Sequence, residues 1–202
     1  MPKNDYWKLS AFESAKLIKN GSISAEDLVS SCIERVKETN NKINAIVDDL
    51  SEAALEKAHE LDKLTKKGKF KGPLHGVPIT IKENIDQKGY ATPNGLEALK
   101  DLIAPGNAPV VDNLEKDGAI VIGRTNTPEF SMRGTTDNVI HGRTFNPWND
   151  WASPGGSSGG ASAAVMSGMG SLAHGNDIAG SLRIPSTATG ACTVKPGLGR
   201  VP

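Results

Sequence analysis

Apolar residues near the amino terminus recur with the spacing of a helix. After Ser24 they follow one another at steps of three and four residues, so they share one face of a helix that we predict to run to about Asn40. Ser24 and Asp27 resemble a capping box in which Asp takes the place of Glu. The residues on this predicted buried face are Ala25, Leu28, Val29, Cys32, Ile33 and Val36.

The same spacing predicts a second helix that begins at Ser51. It ends in the lysine-rich run 66–69, which we interpret as a solvated helix end whose positive charge suits the negative end of the helix dipole. Between the two helices, residues 43–47 are a short strand candidate. Residues 1–70 are therefore predicted to form an N-terminal helical layer. The apolar face of the second helix consists of Ala54, Ala58 and Leu61.

The pattern changes to strands that alternate with helices after Gly72-Pro73. Aliphatic residues alternate with others over 77–82, which predicts a strand whose last residue, Lys82, faces away from the aliphatic side. We expect an α/β fold: a mixed, largely parallel sheet flanked by helices, with 71–202 as one continuous domain behind the helical layer. The further predicted elements are a helix over 105–117, a strand over 119–123, loops over 124–151, a helix near 159–168, a strand over 171–175 and a helix around Ser181.

Composition narrows the class of protein. The 202 residues include 23 basic and 23 acidic side chains, a balance that disfavours a nucleic-acid-binding surface or a polybasic membrane patch. The sequence has neither the apolar stretch of a signal peptide at its start nor a run long enough to span a membrane, so we expect a cytoplasmic protein. Cys32 and Cys192 are expected to be buried free thiols.

The Gly/Ser turn around Ser157, residues 155–160, has three interpretations. A flexible linker is one, but linkers seldom continue into a helix-forming stretch such as 161–166. A phosphate-binding loop needs Gly-Lys-Ser/Thr at its end, whereas Ala161 follows Gly160 here. The third is a catalytic turn at a helix N-terminus, where backbone N–H groups and the helix dipole favour negative charge.

Ser181 and Lys82 each have a structural and a catalytic interpretation. Ser181 follows Ala179-Gly180 at the predicted start of a helix, where it is either a simple N-cap or a nucleophile with backbone N–H groups beside it. Lys82 is either a solvated strand residue or, if buried, an amine whose lowered pKa allows it to act as a general base near neutral pH. Two serines and a lysine can supply a nucleophile, a proton relay and a base without histidine.

Other catalytic arrangements have less support. Ser181 lies outside any Gly-x-Ser-x-Gly elbow, although a Ser-His-Asp triad stays open on residue counts alone. We expect no metal and no cofactor, because no histidine has a partner at the spacing of an HxxxH pair. The four histidines are His59, His75, His141 and His174.

Taken together, these motifs resemble the amidase signature family. The matching segments are 72–84, 123–130, 142–148, the turn 155–160 and 173–185, in which Asp177-Ile-Ala-Gly-Ser181 precedes Leu182-Arg183-Ile-Pro185. The two serines are 24 residues apart (181 − 157), as in the family's catalytic pair. Met166 departs from the small residue that the family favours, which affects packing rather than chemistry. The resemblance extends over the chain from about residue 8 onward.

The resemblance implies a role for each of these residues. Ser181 is expected to be the nucleophile that forms an acyl-enzyme with a small-molecule amide. Ser157, which follows a cis peptide bond in family members, is expected to be the bridging serine through which Lys82, the neutral base, draws a proton. Two alternatives stay open: the A subunit of a glutamyl-/aspartyl-tRNA amidotransferase, and a non-catalytic fragment. The family's domain is about twice as long, so the fold is expected to be incomplete at the C-terminus; a homodimer is the expected assembly. The remaining implied site residues are Ile178, Ala179 and Gly180, which together with Ser181 itself offer N–H groups to the oxyanion, and Ser131, whose segment lines the acyl pocket.

Overall fold

The computed structural model describes residues 1–201, and of Lys3 and Asn4 the backbone alone. Within this range, no helix has both the length and the apolar character needed to cross a membrane. Short 3₁₀ turns over Lys3–Lys8, Glu97–Leu99 and Glu129–Ser131 connect the regular elements. Those elements are α1 (Ala11–Lys19), α2 (Ala25–Ile43), β1 (Ile46–Asp49), α3 (Ser51–Thr65), β2 (Pro78–Lys82), α4 (Pro109–Lys116), β3 (Ile120–Thr125), α5 (Gly159–Met166), β4 (Leu172–Ala173) and α6 (Arg183–Thr189).

The four strands form one mixed sheet in the order β1-β3-β2-β4. Strand β2 runs parallel to both of its neighbours, β3 and β4, whereas β1 pairs antiparallel with β3. This arrangement confirms the predicted α/β fold with a mixed, largely parallel sheet. Because β2 lies between β3 and β4, its last residue, Lys82, ends in the interior of the molecule, where its side chain is completely buried.

Apolar side chains cover both faces of the sheet. On one face, Ile120 and Ile122 of β3 pack with the buried sides of α2 and α3. On the other, Ile79 and Ile81 of β2 pack with Val111 of α4 and with Val121. A side chain of α3 also caps the N-terminus of α2, since the buried Asp62 carboxylate accepts hydrogen bonds from the N–H groups of Ala25 and Glu26. The predicted apolar faces of the first two long helices are thus confirmed.

Several predicted boundaries are wrong by a few residues, for local reasons. Helix α2 continues to Ile43 and ends where Asn44 adopts a left-handed conformation. The Asn40 side chain then bonds the backbone of Ala45 and Ile46, so the strand predicted over 43–47 begins only at Ile46. Helix α4 begins at Pro109, a residue whose fixed φ suits a first helical position, and not at residue 105.

Two further expectations near the carboxyl end need correction. The strand predicted over 171–175 is confined to Leu172–Ala173, because the chain leaves the sheet after His174 donates its N–H to the Thr80 carbonyl. Cys192 is exposed, in contrast to the buried Cys32, since it follows the end of α6 on the surface. Burial raises the pKa of the Cys32 thiol to about 12, so this thiol stays protonated.

Candidate active site

Lys82 and Ser157 meet in the interior although 75 residues separate them in the sequence. The Lys82 Nζ atom lies 2.6 Å from Ser157 Oγ and 2.7 Å from Asn176 Oδ1. Burial lowers the pKa of Lys82 to about 7, against the opposing effect of the negative charges of Glu83 and Asp177. The amine is therefore available in its neutral form near neutral pH.

The Gly-rich turn places Ser157 by close backbone packing. The Gly156–Ser157 peptide bond is cis, as the resemblance implied. A Cβ atom at Gly156 would lie 2.3 Å from the Arg133 carbonyl oxygen, so only glycine fits there. The Ser157 carbonyl accepts a hydrogen bond from Thr127 Oγ1 at 3.1 Å, and α5 begins two residues further on. The serine is thus fixed between the end of β3 and the start of α5.

Ser181 lies beside this turn but is oriented differently from Ser157. Its carbonyl accepts a hydrogen bond from the Ser158 N–H at 3.1 Å. Its hydroxyl makes no hydrogen bond with Ser157 or with any other residue within 1–201. Ser181 also precedes α6 by two residues instead of lying in its first turn. The structure therefore brings Lys82 and Ser157 into direct contact and connects Ser181 to them through the backbone of Ser158.

The loop before Ser181 is organised by the Asp177 carboxylate. It accepts hydrogen bonds from the Gly180, Leu182 and Arg183 N–H groups and from the Arg183 guanidinium. The Asp177 side chain is completely buried, and its contact with Arg183 together with these N–H groups holds its pKa well below the usual range. Within 1–201, the N–H groups of Ile178 and Ala179 have no acceptor, whereas that of Gly180 is engaged by Asp177.

Ser131 belongs to a neighbouring polar network instead of touching the two other serines. Its hydroxyl donates to Asn94 Oδ1 at 2.7 Å and accepts from Asn84 Nδ2 at 2.9 Å. The same hydroxyl lies 2.9 Å from Thr127 Oγ1, the group that also donates to the Ser157 carbonyl. Ser131 has a positive φ of 55°, which turns the chain tightly after β3. Thr127 therefore lies between Ser131 and Ser157 and contacts both.

Other buried polar groups near Lys82 were not identified from the sequence. The Glu83 carboxylate is completely buried, lies 3.0 Å from His141 Nε2 and accepts from the Gly95 N–H. Asn176 contacts Lys82 directly. The available signals were the run Lys82-Glu83-Asn84 at the end of an apolar strand and the position of Asn176 immediately before Asp177.

The site thus brings together a buried lysine, a serine in direct contact with it and a second serine with free N–H groups beside it. Comparison with known proteins identifies the family. The amidase family model matches residues 27–202. The chain therefore belongs to the amidase family, which confirms the resemblance to the amidase signature enzymes.

Individual relatives show how much of the family fold is represented. The chain is 55% identical over 201 residues to indoleacetamide hydrolase from Bradyrhizobium diazoefficiens, covering 100% of the chain and 38% of that enzyme. It is 40% identical over 194 residues to the A subunit of glutamyl-tRNA(Gln) amidotransferase from Natranaerobius thermophilus, covering 96% and 40%. The solved structure of fatty acid amide hydrolase matches with a TM-score of 0.90 at 33% identity, covering 94% and 34%. The chain spans less than half the length of these relatives.

Proposed function

We propose that this chain carries the nucleophile, proton relay and base of an amide hydrolase. The observation that supports this most directly is the 2.6 Å contact between the buried Lys82 amine and the Ser157 hydroxyl. Because its pKa is about 7, Lys82 can accept the Ser157 proton near neutral pH, while Ser157 takes the proton of Ser181. The Ser181 oxygen then attacks the amide carbonyl. The proton returns through Ser157 to the leaving nitrogen, and water hydrolyses the acyl-serine.

The surroundings of Ser181 are suited to this role. Ser181 is half-buried and its hydroxyl is not committed to another hydrogen bond within 1–201, so a rotation of the side chain towards Ser157 breaks no such bond. The free N–H groups of Ile178 and Ala179 are the proposed donors to the oxyanion, a contribution that is typically worth about 3–4 kcal/mol per donor. The predicted participation of Gly180 requires its N–H first to leave the Asp177 carboxylate.

The proposed substrate is a small-molecule amide, and we favour an arylacetamide. The identity to indoleacetamide hydrolase is 55%, compared with 40% to the amidotransferase protein. The segment Asp177-Ile-Ala-Gly-Ser181 also differs from the Asp-Thr-Gly-Gly-Ser that is usual in such amidotransferases. Ser131, whose hydroxyl is held by Asn84 and Asn94, is proposed to line the acyl pocket. A cytoplasmic location and a homodimer stay predictions.

Labelling of Ser181 by a fluorophosphonate, located by mass spectrometry, tests the proposed nucleophile. Ser181→Ala abolishes labelling, and Ser157→Ala and Lys82→Met each slow it by at least about a hundredfold, the usual scale of general base catalysis. The double variant loses little more than either single variant, because the relay acts as a unit. The matched control is Ser186→Ala, because the Ser186 hydroxyl donates to the Leu182 carbonyl and not to a group of the candidate site. Independent, multiplicative losses contradict the relay.

Ammonia release from indoleacetamide and from glutamine distinguishes the two proposed substrate classes. We expect release from indoleacetamide, because the higher identity is to the hydrolase of that amide. Release from glutamine alone favours the amidotransferase alternative. Both assays use the Ser181→Ala variant as the blank.

A further inference from the structure

The Lys82 amine has two hydrogen-bond partners among residues 1–201, and one of them lies outside the proposed relay. Ser157 Oγ is the first, at 2.6 Å, and Asn176 Oδ1 is the second, at 2.7 Å. The nearest carboxylates are committed elsewhere: Glu83 bonds Gly95 and His141, and Asp177 bonds Arg183. The contact with Asn176 is therefore a specific feature of the amine's surroundings.

Hydrogen bonds along a row of side chains fix the orientation of the Asn176 amide. Its Nδ2 donates to Asn84 Oδ1 at 3.2 Å, and Asn84 Nδ2 donates to Ser131 Oγ at 2.9 Å. The Ser131 hydroxyl in turn donates to Asn94 Oδ1 at 2.7 Å. Every bond in this row donates in the same direction, away from Lys82. The amide oxygen of Asn176, which can only accept, therefore faces the amine.

The backbone around Asn176 is held independently of its side chain. The Asn176 carbonyl accepts from Ser158 Oγ at 3.2 Å, and the Asn176 N–H donates to the same hydroxyl at 3.4 Å. Two residues earlier, the His174 N–H donates to the Thr80 carbonyl at 2.8 Å. The side-chain amide is thus not needed to attach this loop to the sheet, and its substitution leaves these backbone contacts available.

We propose that Asn176, oriented by Asn84, is a positioning residue that holds one N–H of the Lys82 amine so that its lone pair is directed to the Ser157 hydroxyl. A neutral amine has two N–H bonds and one lone pair. When one N–H is held by the Asn176 oxygen, rotation about the terminal bond of Lys82 is restricted and the lone pair can accept the Ser157 proton. This inference rests on the proposed function for its catalytic meaning, but the contact itself can be tested without turnover.

The row also connects the proposed acyl pocket to the base. Ser131 lies three hydrogen bonds from Lys82, through Asn84 and Asn176.

The test is an NMR titration of Lys82 in the chain labelled with ¹³C at lysine Cε, with the signal assigned by its loss in Lys82→Met. Asn176→Asp keeps the size of the side chain and places a carboxylate on the ammonium, so the acid dissociation constant of Lys82 falls by at least about tenfold. Asn176→Ala removes an acceptor from the ammonium, so the constant rises by about tenfold. The other titratable or charged groups that face Lys82 or pack around it, with residue identities unchanged in both variants, are Glu83, Arg124, His141, His174, Asp177 and Arg183.

Asn149→Asp is the matched control, because it adds the same charge at an exposed turn where the side-chain oxygen accepts from the Trp151 N–H. It leaves the Lys82 titration unchanged. The inference is overturned if both variants at Asn176 titrate within threefold of the wild type, and the alanine variant decides the matter should the aspartate variant not fold. As a second readout, the pH midpoint of Ser181 labelling moves upward in Asn176→Asp, a change that a merely structural role does not produce. Failure of the proposed function is seen separately, as a wild-type Ser181 that does not react at any pH.

Discussion

Replacing Lys82 by Met is expected to change how the free energy of unfolding varies with pH. Lys82 is completely buried, and its pKa is about 7 in the folded chain against an ordinary value of 10.5. Between these two values the unfolded chain binds a proton at Lys82 that the folded chain does not. The contribution of Lys82 to the free energy of unfolding therefore rises with pH through this window and is lost as the pH falls towards 7.

The size of the effect follows from the two pKa values. Each pH unit within the window changes the free energy of unfolding by about 1.4 kcal/mol, so the change between pH 7 and pH 10 is about 4 kcal/mol. Met has a similar length and no titrating group. The difference in unfolding free energy, wild type minus Lys82→Met, is thus expected to increase by this amount as the pH is raised. Titrating groups that do not interact with Lys82 contribute equally to both proteins and cancel.

Urea unfolding of both proteins at intervals from pH 7 to pH 10 measures this difference. Lys67→Met is the matched control, because Lys67 is exposed and the substitution removes the same formal charge. The difference in unfolding free energy between the wild type and Lys67→Met is expected not to change with pH. A flat difference for Lys82→Met, within about 1 kcal/mol over the same range, refutes the conclusion that Lys82 is buried as a neutral amine.

Two further predictions concern the positions of the Gly-rich turn and the Ser181 loop. Gly160→Ala is expected to lower the free energy of unfolding, measured in urea, by about 2 kcal/mol, because its Cβ would lie 2.5 Å from the Asn126 backbone nitrogen. Gly134→Ala is the control and is expected to be nearly neutral, because a Cβ there meets nothing within 4 Å. An increase in stability for Gly160→Ala, as in an unobstructed helix, contradicts this packing. Asp177→Asn is expected to slow fluorophosphonate labelling of Ser181 at least about tenfold, because the charge-assisted hydrogen bonds of the Asp177 carboxylate hold the loop. The control is Asp150→Asn, at an exposed position, which is expected to have no effect. Unchanged labelling in Asp177→Asn shows that the loop forms without the carboxylate.

Regular spacing made the long elements of the fold predictable. The apolar faces of α2 and α3 and the alternating pattern of β2 indicated these elements directly, because each buries one side against a continuous core. The start of β1 and the length of β4 could not be predicted in the same way. The start of β1 depends on the left-handed Asn44 and on hydrogen bonds to the Asn40 side chain, and β4 ends where the His174 N–H donates to the Thr80 carbonyl. These are single local features with no repeating pattern.

At the candidate site, too, the residues that belong to a motif could be predicted, whereas the contacts between them could not. Motif resemblance indicated Lys82, Ser157 and Ser181, but no spacing rule predicts that Lys82 and Ser157, 75 residues apart, lie within 2.6 Å. Asn84 and Asn176 were overlooked, because an asparagine is common in loops and its role depends on which partner the fold provides. The commitment of the Gly180 N–H to Asp177 is likewise a tertiary feature.

The topology of the sheet explains why these distant residues meet. Strands β3, β2 and β4 are mutually parallel, so their carboxyl ends lie at one edge of the sheet. Lys82 is the last residue of β2, Asn126 and Thr127 follow β3, and Asn176 comes shortly after β4. Open α/β sheets place their ligand sites at this edge, where loops can carry polar groups over a rigid scaffold. Lys82, the proposed base, therefore lies on a strand that cannot move without disrupting the core, whereas Ser181, the proposed nucleophile, lies in a turn. This difference suits the proposed acyl transfer, in which the base stays in place while the nucleophile rotates between Ser157 and the substrate.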